Sequence, residues 1–234
     1  QADLSPIVLG GEGAGVSIAG IRRGVSSFLV NERRGAEAAV SNQDTRAAFL
    51  SRVETSLGTD SENSLSARVG DFDAALIAAA SRPESESRLS EMLTAAKQLV
   101  NHITNTARTI QSARTDADSA IAAQVEQLND ALSQVEDLNS RIVAATIAGR
   151  DSTSLQDLRQ RQIDQISGIV PLRQIPRDNG TIALYSTSGA PLVDGKASQF
   201  GFEATRAISA EMNITDGPLS GLTMNGRAMN TGEN

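Results

Sequence analysis

The longest regular pattern in the sequence is residues 89–145, which read LSEMLTAAKQLVNHITNTARTIQSARTDADSAIAAQVEQLNDALSQVEDLNSRIVAA. Steps of seven residues from Leu89 and from Leu93 give two series in which every position is apolar except Arg114 and Gln124. The series are offset by four residues, which is the spacing of the two core positions of a heptad. The pattern predicts one helix about 85 Å long at about 1.5 Å per residue, with an apolar seam that twists left-handed around its partners.

The large apolar side chains of these two series are the predicted structural seam of the long helix. They are Leu89, Leu93, Val100, Ile103, Ile110, Ile121, Leu128, Val135, Leu138 and Ile142. We interpret Arg114 as a side chain that lays its stem across apolar surface and keeps its charged head in water. A polar residue that fixes the register of the seam is the other interpretation of this position.

Three further helices are predicted around the long one, which itself opens at Pro83 and closes at Gly149. The first runs from about Ile21 to Leu57, and the second begins near Ser61. The last runs to about Ser167 and starts in STSLQD (152–157), where Ser154 and Asp157 have the spacing of a capping box. Their summed length of roughly 105 Å exceeds that of the seam. We therefore expect an elongated bundle that covers its own seam, and a dimeric coiled coil stays open.

The composition changes along the chain and divides it into three regions. Residues 21–167 are the elongated helical bundle. Residues 1–20 are a Gly-rich, β-like lead-in that we expect to pack on this rod-shaped bundle. Residues 168–234 alternate apolar and polar residues between glycines and prolines, which is typical of antiparallel β-hairpins. This region is expected to be truncated at its end. The predicted fold class is mainly α with a β part (α+β).

Turn residues give the order of the predicted strands in 168–234. Asn179-Gly180 is expected to form a two-residue turn with positive φ at both positions. Further turns are expected at Ser188-Gly189 and Asp194-Gly195, with a short strand at 191–193 between them. The stretches FGFEAT (200–205) and SAEMNIT (209–215) are predicted to be additional strands.

Charge and composition argue against most kinds of binding site. The net charge is −7 and no Lys/Arg run is present, so nucleic acid is not an expected partner. No apolar stretch reaches the length of a membrane span. The chain has no cysteine and one histidine, so we expect no metal site and no cofactor. No isolated pair of carboxylates is seen, and no catalytic residues are assigned.

Three local features are interpreted as structural. The glycines of VLGGEGAGVSI (8–18) match no phosphate-binding motif, because the first lysine is Lys97, and we expect a turn between short strands. ERRG (32–35) and His102 are expected to face solvent. The carboxylates of the long helix are expected to spread over its surface; they are Asp116, Asp118, Glu126, Asp130, Glu136 and Asp137.

The order of several short motifs resembles the flagellar hook-associated protein 1 family. The resemblance begins in GAGVSIAGIRRGVSSFL (13–29), continues through FLSRVETSLG (49–58) and NSLSARVGDFDAAL (63–76), and ends in DNGTIALYSTSGAPLVDG (178–195). Its most specific part is LNSRIVAATIAGRDSTSLQDLRQRQIDQIS (138–167). The chain departs from the family at Val25 and Ser26, where Tyr and Asp are frequent, and at Gln160, where Asp is common.

The resemblance implies a structural subunit of the bacterial flagellum that joins hook to filament without catalysis. It implies an extracellular place, reached by type III export without a cleaved signal peptide. The implied partners are the hook protein, the second hook–filament junction protein, copies of itself in a ring and an export chaperone. The resemblance also identifies the chain as a core fragment that lacks both terminal axial segments of the family, which is therefore expected to be monomeric.

Two other functions remain open at this point. One is another flagellar axial protein, either the second junction protein or a flagellin, against which the PLVDG hairpin (191–195) argues. The other is a signalling or scaffold protein that dimerises through the seam as a coiled coil. An enzyme is the least favoured class.

Overall fold

The computed structural model describes residues 2–6, 16–21, 27–58, 64–215 and 217–229. The helices are α1 (Ser27–Leu57), α2 (Leu65–Ser81), α3 (Glu86–Ile147) and α4 (Thr153–Ser167). The strands are β1 (Ala2–Pro6), β2 (Val16–Ile21), β3 (Leu172–Pro176), β4 (Ile182–Ser186), β5 (Pro191–Asp194), β6 (Lys196–Ala197), β7 (Phe200–Gly201), β8 (Thr223–Met224) and β9 (Arg227–Ala228). The predicted fold class is confirmed, because one very long helix is followed by antiparallel hairpins.

Helix α3 is the axis of the molecule. Its 62 residues extend over about 93 Å. It ends as the sequence predicts, because Gly149 has a φ of 62° and the Arg150 amide donates to the Ala145 carbonyl at 2.8 Å. This pattern is a Schellman motif. The helix begins later than predicted, since Pro83 and Glu84 form a turn ahead of it.

The predicted start of α1 is wrong, whereas α4 starts inside STSLQD as predicted, at Thr153, but without the predicted capping box. Ile21 belongs to β2, where it pairs with Ala2 of β1, and α1 begins at Ser27. Ser154 lies inside α4 instead of capping it. Asp151, just before the helix, bonds its first residue instead. Its Oδ1 accepts hydrogen bonds from the amide and hydroxyl of Thr153 at 3.1 and 2.6 Å.

The helices pack antiparallel along opposite ends of α3. Helix α2 runs back along the first part of α3, and its Arg68 bonds Gln98 at 3.2 Å. Its amino-terminal cap is Ser64, whose Oγ accepts from the Ala67 amide at 3.2 Å. Helix α4 runs back along the last part of α3, while α1 contacts α3, α4 and β3.

The first hairpins form a four-stranded antiparallel sheet of order β3-β4-β5-β6. The turn after β3 is longer than predicted. The Arg177 amide donates to the Thr181 carbonyl at 2.9 Å, and the Gly180 amide donates to the Arg177 carbonyl at 3.1 Å. Only Gly180 of this turn has a positive φ, 79°, so the predicted positive φ at Asn179 is wrong. A three-residue loop with glycine in the left-handed position explains the geometry.

Two of the later predicted strands do not form as expected. Of FGFEAT only Phe200 and Gly201 are in a strand, and SAEMNIT contains none. Their backbone groups bond polar side chains of α3 instead of a neighbouring strand. We call residues 202–215 the strap.

The hydrophobic core lies between the last part of α3, α4 and the four-stranded sheet. It contains Val125, Leu128, Ala131, Leu132, Val135, Ile163, Ile166, Leu172, Ile182, Leu184, Leu192, Val193 and Phe200. The four glycines of VLGGEGAGVSI, for which we expect a turn, all lie outside the described residues.

Candidate assembly surfaces

The seam of α3 is buried over its C-terminal part. Leu128, Val135, Leu138 and Ile142 are all buried, and the first two pack against α4 and the sheet within the core. Leu132, which lies beside the seam, is completely buried. We call residues 125–147 of α3, with the elements packed on them, the closed half.

Polar side chains of α3 attach the β region to this part of the helix through backbone hydrogen bonds. The side-chain amide of Asn139 bonds both backbone groups of Ile182, at 2.9 and 3.2 Å. Asn129 bonds both backbone groups of Phe200 in the same way, at 2.8 Å each. Each asparagine therefore satisfies a strand residue as a neighbouring strand does. Glu136 adds a third contact, since its Oε2 accepts from the Ala197 amide at 2.7 Å.

The same kind of contact holds the strap farther along α3. Asp118 is buried and accepts from the Thr205 amide at 2.5 Å. Arg114 donates to the carbonyls of Ser209 and Met212 at 3.0 and 2.5 Å. The interpretation that the charged head of Arg114 lies in water is therefore wrong, because the head bonds the strap. The expected surface position of Asp118 is wrong as well. Both side chains bond backbone groups of the strap, which is not paired with a strand there.

One buried polar cluster joins α3, α4 and the first hairpin. Nη1 of Arg159 donates to Oδ1 of Asn139 at 2.8 Å and to the Gly180 carbonyl at 3.0 Å. Both side chains are buried, and burial lowers the pKa of Arg159. Because Asn139 Oδ1 also accepts from Ile182, removing this one amide affects three elements.

The seam is exposed over the first part of α3, which corrects the expectation that the chain covers it throughout. Leu89, Leu93, Val100, Ile103 and Ile121 are all exposed, Val100 by 60%, and Ile110 is half-buried. The physical reason is the placement of the helices. Helix α4 and the core sheet lie on the closed half, and α2 is only 17 residues long.

Helix α2 leaves its own apolar face exposed beside this part of α3. Leu65, Val69, Leu76 and Ile77 are exposed, and only Ala79 is buried. Apolar patches on a protein surface mark sites of protein contact, and the heptad spacing of Leu89, Leu93, Val100 and Ile103 places these four on one side of α3. We call the exposed apolar residues of α2 and α3 the open surface; they are Leu65, Val69, Leu76, Ile77, Leu89, Leu93, Val100 and Ile103.

Two residues that were expected to face solvent are less exposed than predicted. His102 is half-buried, and its Nε2 has no hydrogen-bond partner among the described residues. Arg34, in ERRG, is 1% exposed. Nothing in the sequence near Arg34 indicates this, because its partners lie on α4 and β3.

The described residues hold no group of three or more His, Asp or Glu side chains arranged to bind a metal ion. None of the helices in the described ranges combines the length and hydropathy that a membrane crossing requires.

An apolar groove of about 510 Å³ lies between α3, the sheet and the strap, lined in part by Ile121, Phe202 and Ile214. The candidate site that we consider is the open surface, because large apolar side chains of α2 and α3 are exposed there.

Comparison with known proteins decides the family. The sequence profile of the flagellar hook-associated protein FlgK helical domain matches residues 50–231. The chain belongs to this family. Flagellar hook-associated protein 1 of Escherichia coli (strain K12) is 26% identical over 225 residues, which are 94% of this chain and 41% of that protein. The protein of the same name from Salmonella typhimurium (strain LT2) is 28% identical over 189 residues, covering 80% of this chain and 34% of the relative.

A solved structure supports the fold. The flagellar hook junction protein FlgK from Burkholderia pseudomallei superposes with a TM-score of 0.64 at 19% identity, over 73% of this chain and 30% of that one. This family member thus spans less than half the length of the relatives it matches. The resemblance inferred from the sequence motifs is confirmed.

Proposed function

We propose that this chain is a structural segment of a junction protein that joins hook to filament in the bacterial flagellum, without catalysis. The family supports this proposal, since the matched relatives are flagellar hook-associated proteins. The observation that carries it is the division of one continuous helix between a closed half and the open surface. A helix that is rigidly held at one end and apolar at the other is suited to packing against a neighbouring subunit.

The proposed mechanism is geometric. The closed half uses buried apolar contacts and the hydrogen bonds of Asn129 and Asn139 to fix the C-terminal part of α3. The open surface is then presented to a neighbouring axial subunit, which is the hook protein, the second junction protein or a copy of this protein in a ring. An export chaperone and an extracellular place, reached without a cleaved signal peptide, complete the proposal.

The regional division is part of the same proposal. Residues 1–20 are the lead-in on the rod, residues 21–167 the bundle, and residues 168–234 the hairpin region. Within the bundle, the seam has two roles. Its residues from Leu128 to Ile142 form the core, and those from Leu89 to Ile103 form contacts in the assembly. The isolated chain is proposed to be monomeric.

The test is a chimera. The segment of the Escherichia coli relative that matches this chain is replaced by this chain, and a strain lacking the relative is complemented with it. We expect filaments and swimming. Leu93→Glu with Val100→Glu should leave hooks without filaments, because two charges are placed on the open surface. Lys97→Glu, an exposed control on the same helix, should swim normally. Normal filaments with the double glutamate variant would contradict the proposal.

The exposed part of the seam favours one second candidate, a dimeric coiled-coil scaffold. Leu89, Leu93, Val100 and Ile103 have heptad spacing and are exposed, as the positions of an unpaired coiled coil are. Analytical ultracentrifugation of the purified chain separates the two functions. A stable dimer that the Leu93→Glu, Val100→Glu variant converts to monomer would support the scaffold, and a monomer would support the junction segment.

A further inference from the structure

Arg34 is the largest fully buried side chain in the described residues. It lies in the first third of α1, and Ala38, one turn later, is also buried. A charged side chain is rarely buried to this degree unless its charge and its hydrogen-bond donors are paired. The position therefore requires a set of acceptors arranged around one guanidinium group.

The acceptors come from two other elements. Nε of Arg34 donates to Oδ1 of Asp164 at 2.8 Å, and Nη2 donates to Oε1 of Gln160 at 2.8 Å, both on α4. Nη1 donates to Oε1 of Gln174 on β3 at 3.0 Å. The planar fork of arginine presents its donors in fixed directions, so these three bonds define the orientation of α1 against both α4 and β3.

Arg33 adds a second, exposed contact to the same carboxylate. Its Nη2 donates to Oδ1 of Asp164 at 3.0 Å, and its Nη1 bonds Glu37 one turn along α1. Both hydrogen bonds raise the pKa of Arg33. Because Arg33 and Asp164 are each about half exposed, their ion pair is expected to contribute little. The buried contact of Arg34 is the one that fixes direction.

Beyond Ala38 the helix is mostly exposed, although the hydroxyl of Ser41 donates to the Gly168 carbonyl at 3.5 Å. Residues 39–48 are all exposed, and farther along only Phe49 and Val53 are half-buried among the described side chains up to 55. Helix α1 has 31 residues and so a length of about 46 Å. A rod of this length held firmly near one end translates a small change of angle at Arg34 into a large displacement at the other.

We infer that Arg34 is a positioning residue: its three-way hydrogen-bonded clamp to Asp164, Gln160 and Gln174 sets the direction in which α1 leaves the closed half. Without the clamp, α1 remains helical and attached but takes a range of directions. The clamp acts within the single chain and does not depend on the proposed role in the flagellum.

The test measures the direction of α1 by spin-label distances. The chain has no cysteine, so Ala48→Cys with Ser119→Cys gives one labelled pair between α1 and α3. Ser119→Cys with Asp178→Cys gives a reference pair between α3 and the first hairpin. Arg34→Gln and Arg34→Lys each remove the fork, and Arg33→Gln, on the surface, is the matched control. Arg34 lies outside the hydrophobic core of the closed half, so we expect that core to keep its packing in the Arg34 variants.

We expect the Ala48–Ser119 distance distribution to become about twofold broader in both Arg34 variants, since neither side chain provides the three-way fork. The Ser119–Asp178 distribution and the Arg33→Gln distributions should match those of the parent chain. An Ala48–Ser119 distribution as narrow as in the parent would overturn the inference. Equal broadening of the reference pair would also overturn it, because Arg34 would then support the whole fold. If the Arg34 variants do not fold, Asp164→Asn is measured by the same criteria.

Discussion

The two halves of α3 share one apolar repeat but have opposite surroundings. Leu128 belongs to the same heptad series as Leu93, yet Leu128 is buried and Leu93 is half-exposed at 51%. The closed half has α4, the sheet and a row of asparagine and carboxylate contacts, whereas the seam residues of the first part are exposed beside α2. The heptad repeat thus indicates which side of a helix is apolar, while the topology of the chain determines whether other elements cover that side.

The difference also separates stability from assembly. Burial of apolar area stabilises the folded chain, so the closed half is expected to carry most of the folding free energy. The open surface contributes little to folding of the isolated chain and is available for contacts with other subunits. Matched substitutions in the two halves test this division directly.

The largest expected effect is that of Leu128→Ala. This change removes a buried leucine from the core and should lower the free energy of unfolding by about 2–5 kcal/mol. Leu93→Ala is the same chemical change in the same series on the open surface, and it should cost less than about 1 kcal/mol. Urea unfolding followed by circular dichroism measures both. Equal losses would show that the first part of the seam is covered in solution, and the proposed difference between the two halves of α3 would be wrong.

The next effect is expected at the buried polar cluster. Asn139→Ala removes partners from Arg159 and from both backbone groups of Ile182, and unsatisfied buried groups cost about 1–3 kcal/mol each. We expect a total loss of about 3 kcal/mol, since such losses are not additive. Ser140→Ala, exposed on the next position of the helix, should change the stability by less than about 0.5 kcal/mol. A loss at Asn139 no larger than that at Ser140 would mean that apolar packing alone holds the hairpin.

A smaller effect is expected where the bonded asparagine is only half-buried. Asn129→Ala loses the two hydrogen bonds to Phe200 and should cost about 1–2 kcal/mol. Its matched control is Asn105→Ala, on the exposed first part of α3, where the side-chain oxygen accepts from Arg108 of the same helix. That variant should unfold within about 0.5 kcal/mol of the parent. Thermal melting of the two variants side by side compares the two parts of α3. Identical midpoints would show that the hydrogen bonds of Asn129 to Phe200 do not stabilise the fold.

The sequence predicted the axis of the fold well, because periodicity is a local property. The heptad series from Leu89 to Ala145 lies inside the observed helix Glu86–Ile147, and Gly149 ends it as expected. The hairpin at 172–186 was also recognisable from its turn residues. These features depend on neighbouring residues, whose side chains and backbone preferences act within one element.

Features that depend on distant partners were not predictable in the same way. Arg34 is buried because Asp164 and Gln174, 130 and 140 residues away, come together around it. The sequence does not distinguish Asp118 from its exposed neighbour Asp116, because the burial of Asp118 depends on its contact with the strap. The extent of the covered seam was missed for the same reason, since the lengths of the helices do not reveal where along α3 each one packs.

The smallest effect concerns an exposed cluster on the closed half, at the sheet. The hydroxyl of Tyr185 donates to Oδ2 of Asp194 at 2.6 Å, and Arg177 donates to Oδ1 at 2.8 Å. The bond from Tyr185 lowers the pKa of Asp194, with Arg177 adding to the effect, and the same bond raises the pKa of Tyr185. Asp194 therefore contributes stability that is present above its unfolded pKa of about 3.9 and is lost as the pH falls through the lower folded value. Tyr185 contributes stability that is present below its unfolded pKa of about 10 and is lost as the pH rises through the higher folded value.

Tyr185→Phe tests this cluster while keeping the aromatic ring in place. Carbon-detected NMR titration should show the pKa of Asp194 moving up toward its ordinary value in this variant, and moving less in Arg177→Gln, because Tyr185 is the larger cause. The stability difference between the parent and Tyr185→Phe should be constant near neutral pH. It should shrink below about pH 4, where protonation of Asp194 weakens the bond. Asp130→Asn, an exposed carboxylate on α3, should leave the titration of Asp194 unchanged. If Arg177→Gln moves the pKa of Asp194 more than Tyr185→Phe does, the ion pair and not the hydroxyl determines the charge at this edge of the closed half.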